Sequence, residues 1–306
     1  MAADDVWTGT DAPEFAVHAG EGVHPNQAYS IDVVVRSGLA FVAEVPSVAL
    51  AAGGALAFTA LLPMVFALAS NALQIYGQRS GAPALFVVAL ALSFLQIFVS
   101  FAGMPFFFLF RAGLGTIAAR HIRGESVAIA DVYRHVAPAV RLALYTFLVG
   151  LVSSAANLVI VVPLVVAVIA ASYALAGDLP GTVTYATIGV LGLVLPALVL
   201  IATSVGVFTL GGQAASVVEE WPPGALKAAY DIGRNAPVTM LITVVAIVVA
   251  NLLSLLSVGC LVGVALVPAC YAVFEGGLMA SYLLYSRPES ETSTWEFFKR
   301  NPPPFF

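Results

Sequence analysis

The sequence predicts an all-α fold: a polytopic membrane helix bundle with six transmembrane helices arranged as three hairpins, each preceded by a cytoplasmic interfacial amphipathic helix. Three observations point there. The 306 residues are 60% hydrophobic and 9% charged, whereas soluble domains carry roughly 25% charged residues. Several apolar runs reach the about 20 helical residues that a ~30 Å hydrocarbon core requires. The Lys and Arg residues cluster between alternate runs instead of spreading along the chain. A net charge of -5 therefore says little by itself; position is what matters.

Residues 1–29 mix Pro, Gly, His, Asn and acidic residues without a period, as in a flexible acidic tail. This stretch holds no Lys or Arg, so it lacks the basic start of a cleavable signal, and the first membrane helix is expected to be its own insertion signal. Ser30 is suited to cap a helix. Beyond it Ile31, Val35, Leu39 and Val42 recur at helical spacing, with Asp32 and Arg36 on another side, until Pro46. Apolar Ser47 to Tyr76, the turn Gly77 to Pro83, and Ala84 to Phe110 then make the first hairpin.

From Arg111 to Arg141 the chain turns basic, and within it Ile129, Val132, Tyr133 and Val136 mark a second interfacial face. Leu142 to Ala176 and roughly Val183 to Thr209 form the second hairpin. The third opens with Gly224 to Asn235, where Leu226, Ala229, Tyr230 and Gly233 make an apolar face and Lys227, Asp231 and Arg234 a wet one. Spans Val238 to Val258 and Gly263 to Tyr285 follow. Cys260 and Cys270 stand ten residues apart, about 15 Å along one helix and too far for a bridge. The membrane domain thus covers 30–286, in units of about 30–110, 125–216 and 223–286, and 287–306 is a polar C-terminal tail with late aromatics.

Asp131-Val-Tyr-Arg134 before Ala137-Pro138 parallels Asp231-Ile-Gly-Arg234 before Ala236-Pro237, and Asp32 and Arg36 precede Pro46 more loosely. This reads as an internal repeat of an interfacial helix plus a hairpin. With six spans, Arg79 stands alone on one side and the other eleven of the twelve Lys and Arg residues share the opposite side. The positive-inside rule makes that side cytoplasmic, with both termini on it.

The last unit resembles the membrane domain found beside bacterial glycerophosphodiester phosphodiesterases, and related six-helix bacterial membrane families. The residues that carry the resemblance are Ala225 to Arg234 before the fifth span, then Gly259-Cys-Leu-Val-Gly263 and Pro268. The resemblance implies the six-helix architecture and a bacterial cytoplasmic (inner) membrane. No phosphodiesterase catalytic domain is present, so that activity is not implied.

No metalloprotease, nucleophile-elbow, P-loop or dinucleotide motif occurs, and no cofactor, metal or nucleic acid is expected. Asn71, Asn157 and Asn251 each lie within an apolar span, where interhelical hydrogen bonding or a substrate path would use them. Gly259 and Gly263 have the close-packing Gly-x-x-x-Gly spacing, within the monomer or between subunits. Arg111 lies six residues after Pro105 and Glu275 seven after Pro268, so repeat equivalence puts them at similar depth. A charge in hydrocarbon costs at least about 2.5 kcal/mol, which calls for a partner; Glu275 either pairs with Arg111 or reaches interfacial water. The function expected is a scaffold or accessory subunit without enzymatic activity, in contact with the lipid bilayer and meeting a protein partner through its termini or amphipathic helices. The alternative is a transporter or lipid-handling protein.

Overall fold

The computed structural model describes residues 24–151, 207, 209–218, 222–256, 261–286 and 292–301, with the backbone alone at 222–223, 251–252, 254–256, 261–265 and 292–295. Among them every regular element is helical: α1 (Pro25–Ala28), α2 (Ile31–Glu44), α3 (Pro46–Ser80), α4 (Pro83–Ile122), a 3-10 helix (Ile129–Tyr133), α5 (Val136–Leu151), α6 (209–218), α7 (Pro222–Asn235), α8 (Pro237–Leu256), α9 (Leu261–Ser286) and α10 (Thr292–Arg300). Three helices are long and apolar enough to cross a membrane, α3, α4 and α9, or four if α7 and α8 count as one bent span. The chain is a helical membrane protein. The second hairpin falls mainly on residues outside those described.

The first hairpin is tighter and longer than its apolar limits predict. Gly81 ends α3 in the left-handed conformation (φ 66°) and Pro83 opens α4, the C-terminal glycine and N-terminal proline pairing that suits a sharp reversal. At 40 residues α4 is ~60 Å long, so it continues well beyond a ~30 Å core and carries Arg111 to Ile122 on the same rod. Pro63, Pro105 and Pro268 all lie inside continuous helices.

Ser30 caps α2, its Oγ accepting the Val33 N–H. The buried face of α2 is not the Ile31, Val35, Leu39 and Val42 stripe. Val34, Ser37, Gly38 and Phe41 are buried against α9, and Leu39 is 53% exposed. The reason is steric: a Cβ on Gly38 would collide with the Val273 carbonyl, and one on Gly277 with the Val34 carbonyl. The two backbones approach so closely that small residues, not large ones, must fill the seam.

The same device recurs. A Cβ at Gly113 of α4 would strike the Val132 carbonyl of the 3-10 helix, and Gly211 of α6 abuts Ile232 and Ala229 of α7. Each of α4, α6 and α9 thus seats a glycine against a short segment from elsewhere in the chain.

Two of the three interfacial segments are α-helices, but the second is a five-residue 3-10 helix. Of its expected face only Val132 is buried; Ile129, Tyr133 and Val136 are exposed. Asp131 fixes this short turn, its carboxylate accepting the Ala128 N–H at 2.9 Å and facing Arg120 at 3.4 Å. In α7 the buried residues are Ala225, Ala229 and Ile232, whereas Tyr230 lies outside. α7 meets α8 at 104° across Ala236, where Pro237 can open a new helix without needing its missing N–H.

Neither end is wholly a free tail. Residues 25–28 form α1, and the following Tyr29 is fully buried, its carbonyl accepting the Thr243 hydroxyl at 2.7 Å. Within 287–306, α10 buries Phe297 and Phe298 completely.

Substituting Gly277 with Val should cost about 1–3 kcal/mol, because its obstacle is a backbone carbonyl that no rotamer change can move. Gly54 has open space where a methyl group would stand, and it should accept Ala with a gain of up to about 1 kcal/mol. Thermal unfolding in detergent compares them; equal effects would contradict the close seam.

Candidate functional site

The candidate site lies where α4, α5, α6 and α9 meet. Arg111 and Glu275 each sit about 16 Å from the C-terminal end of their helix at ~1.5 Å per residue. Because α4 and α9 run in the same sense, that equal depth brings them side by side. Arg111 Nη2 lies 2.6 Å from Glu275 Oε1, and both side chains are 15% exposed. One turn back, the Phe107 ring lies 5.8 Å from the guanidinium carbon, close enough for a cation–π contact.

Around the pair runs a crevice lined also by Leu142, Leu210, Gln213 and Met279, leaving about 10 Å³, room for roughly one water molecule. Gln213 is 5% exposed, and among the described residues neither its Oε1 nor the buried Nε of Arg111 has a hydrogen-bond partner. Both residues line the same small space. A buried polar group left unpaired costs about 1–3 kcal/mol, so a crevice of this size beside Gln213 and Arg111 suits a single small polar species.

Gln213 was not among the sequence candidates, yet a signal for it exists. Gly211-Gly-Gln-Ala-Ala-Ser216 and Gly276-Gly-Leu-Met-Ala-Ser281 share Gly-Gly-x-x-Ala-Ser, and Ala112-Gly-Leu-Gly115 is a weaker version. Laid over each other, they make Arg111, Leu210 and Glu275 equivalent, and likewise Leu114, Gln213 and Leu278. All of these but Leu114 line the crevice. The pattern lies toward the ends of apolar helices, away from the prolines and the Asp–Arg pairs on which the expected repeat rests.

The other candidates fare differently. Asn71 is exposed on α3, and its side chain reaches no partner among the described residues. Its neighbour Ser70 ties the hairpin instead, donating to the Ala89 carbonyl at 2.8 Å with Ser93 Oγ at 2.7 Å. Asn251 is described by its backbone in α8 and Gly263 by its backbone in α9; Asn157 and Gly259 lie outside the described residues.

A second polar cluster fastens the basic end. Glu44, at the end of α2, faces His121 Nε2 at 2.7 Å from α4, accepts from Asn301 Nδ2 at 2.8 Å, and lies 3.6 Å from Arg300. The His121 ring packs edge-on against Phe297. One carboxylate therefore joins α2, α4 and α10. Burial alone would raise its pKa, but the hydrogen bonds from Asn301 and His121, helped by the Arg300 charge, outweigh it and hold Glu44 below the ordinary glutamate value.

No protein-family model matches the chain, and no curated protein or solved structure does either.

A lowered folded-state pKa means that the Glu44 contacts stabilise fully above the unfolded glutamate value and are lost as pH falls through the folded one. Hydrogen exchange of the α10 amides, corrected for intrinsic rate, should therefore accelerate on acidification below the ordinary carboxylate range. In Glu44→Gln that step should vanish and protection be lower at neutral pH; an unchanged profile would contradict the role of Glu44.

Proposed function

We propose that the protein is a multi-pass integral membrane protein without enzymatic activity, acting as a scaffold or accessory subunit of a membrane assembly. The observation that carries this reading is the use made of the polar groups within its apolar helices: Arg111 is engaged by Glu275, and Ser70 by the hairpin. Buried charges that neutralise each other serve specificity of assembly better than they serve a passing substrate.

The proposed arrangement is six spans in three repeated units, with both termini cytoplasmic in a bacterial inner membrane. Support comes from the position of the charges. Glu44 against His121, Asn301 against Glu44, and Tyr29 against Thr243 gather the starts of α3 and α8 and the ends of α4 and α9 at one end. Arg36, Arg120, Arg123 and Arg300 lie at that end, and Arg79 at the opposite turn, a bias that the positive-inside rule reads as cytoplasmic. The likeness of Ala225 to Arg234 to the phosphodiesterase-associated membrane domain agrees with the same architecture.

One observation favours transport or lipid handling instead: Gln213 and Arg111, each with a buried polar atom unpartnered among the described residues, line one crevice. Purification of the tagged full chain from its native membrane in mild detergent separates the two. The scaffold reading expects a protein partner retained at fixed stoichiometry and no solute flux after reconstitution. A monomer that carries a bound solute and supports its flux would refute it.

A further inference from the structure

We infer that the basic end carries a rim of binding positions for the phosphate headgroups of anionic lipids, one on each of the three interfacial segments; this rests on the membrane orientation proposed above.

The three segments carry equivalent cations. Arg36 on α2, Arg134 after the 3-10 helix and Arg234 on α7 each follow a fully buried branched residue, Val33 or Val34, Val132 and Ile232. Burial of that residue against the bundle fixes the segment's roll and turns the arginine outward. Arg36 and Arg234 are exposed, and the Arg134 side chain is 73% exposed.

Each cation has an exposed apolar neighbour. Leu39 is three residues beyond Arg36, Tyr133 and Val136 flank Arg134, and Tyr230 lies on the same side of α7 as Lys227 and Arg234, at i-3 and i+4. A cation beside an aromatic or aliphatic group is what the headgroup boundary accommodates, the apolar part in the acyl region and the charge at the phosphates. The 104° bend between α7 and α8 lays α7 along the membrane plane when α8 crosses it.

Charge complementarity selects the lipid. No ion pair reaches Arg36, Lys227 or Arg234 among the described residues. Asp131 is held by Arg120 at 3.4 Å and stands 3.9 Å from Arg134. Asp231 is half-buried, within electrostatic reach of Tyr285. Asp131 is therefore engaged and Asp231 half-buried, while Asp32 is exposed one turn before Arg36 without an ion pair to it among the described residues, so the cations stay available. His135 is not counted among them: burial chiefly, with Arg120 adding and Asp131 opposing, lowers its pKa and leaves it neutral at physiological pH.

The test uses the full chain in nanodiscs of phosphatidylcholine mixed equally with phosphatidylglycerol, with the lipids retained by the protein counted by native mass spectrometry. Phosphatidylglycerol should be enriched, and the enrichment should fall roughly fivefold for each cation removed in Arg134→Gln and in Lys227→Gln with Arg234→Gln. Lys299→Gln, on α10, should leave it unchanged. Inorganic phosphate added to pure phosphatidylcholine discs should not raise the unfolding temperature, whereas phosphatidylglycerol should. Equal retention of both lipids, enrichment indifferent to the rim variants, or stabilisation by free phosphate would overturn the inference while leaving the membrane fold standing. A chain that would not enter the discs would overturn the membrane reading beneath it.

Discussion

Close backbone approach at a few glycines is the constraint on which the arrangement depends. In a membrane, lipid tails compete with apolar side chains on equal terms, so helices associate through packing and polar contacts more than through the hydrophobic effect. Gly38 and Gly277 let α2 and α9 meet backbone to backbone, Gly113 admits Val132, and Gly211 admits Ile232. Those contacts hold α2, the 3-10 helix and α7 against the ends of α9, α4 and α6. Those short segments are thus fastened to long helices from elsewhere in the chain, which ties the helices to one another.

The polar groups follow from that packing. Once α4 and α9 run side by side, Arg111 and Glu275 have no better neighbour than each other, and the cost of either charge in low dielectric becomes a penalty on any other arrangement. Glu44 acts similarly in a wetter place, where its carboxylate gathers His121, Arg300 and Asn301 and holds α10 over the junction of α2 and α4. The interior pair fixes that α4 and α9 adjoin, and the end cluster fixes how α10 covers α2 and α4.

Much of this was legible in the sequence because it follows from spacing along single helices. Ser30 marks the start of α2, Pro46 its end, and Gly81 with Pro83 the reversal between α3 and α4. The distance of Arg111 and Glu275 beyond their prolines gave their common depth. What escaped depends on surfaces that spacing does not reveal. Periodicity arguments count large apolar residues, so Leu39 and Tyr230 stood for buried faces, while Ser37 and Gly38 with Phe41 on α2, and Ala225 and Ile232 beside the expected Ala229 on α7, were the ones inside. The 3-10 helix is too short to show a period. α10, nine residues long, is below the length at which a helix stands alone, and it forms because Phe297 and Phe298 have a surface to enter. Asn71 and Ser70 are adjacent, and only the roll of α3 decides which one meets α4.

A double-mutant cycle on Arg111 and Glu275, read by unfolding of the full chain in detergent, tests most directly whether α4 and α9 are joined as described. Arg111→Met or Glu275→Met alone should cost about 3–5 kcal/mol, since each leaves a buried charge unpaired. The double variant should cost clearly less than the two together, with a coupling of at least about 1 kcal/mol. Additivity within about 0.5 kcal/mol would mean that the two residues do not meet, and the account of how the helices are held together would fail.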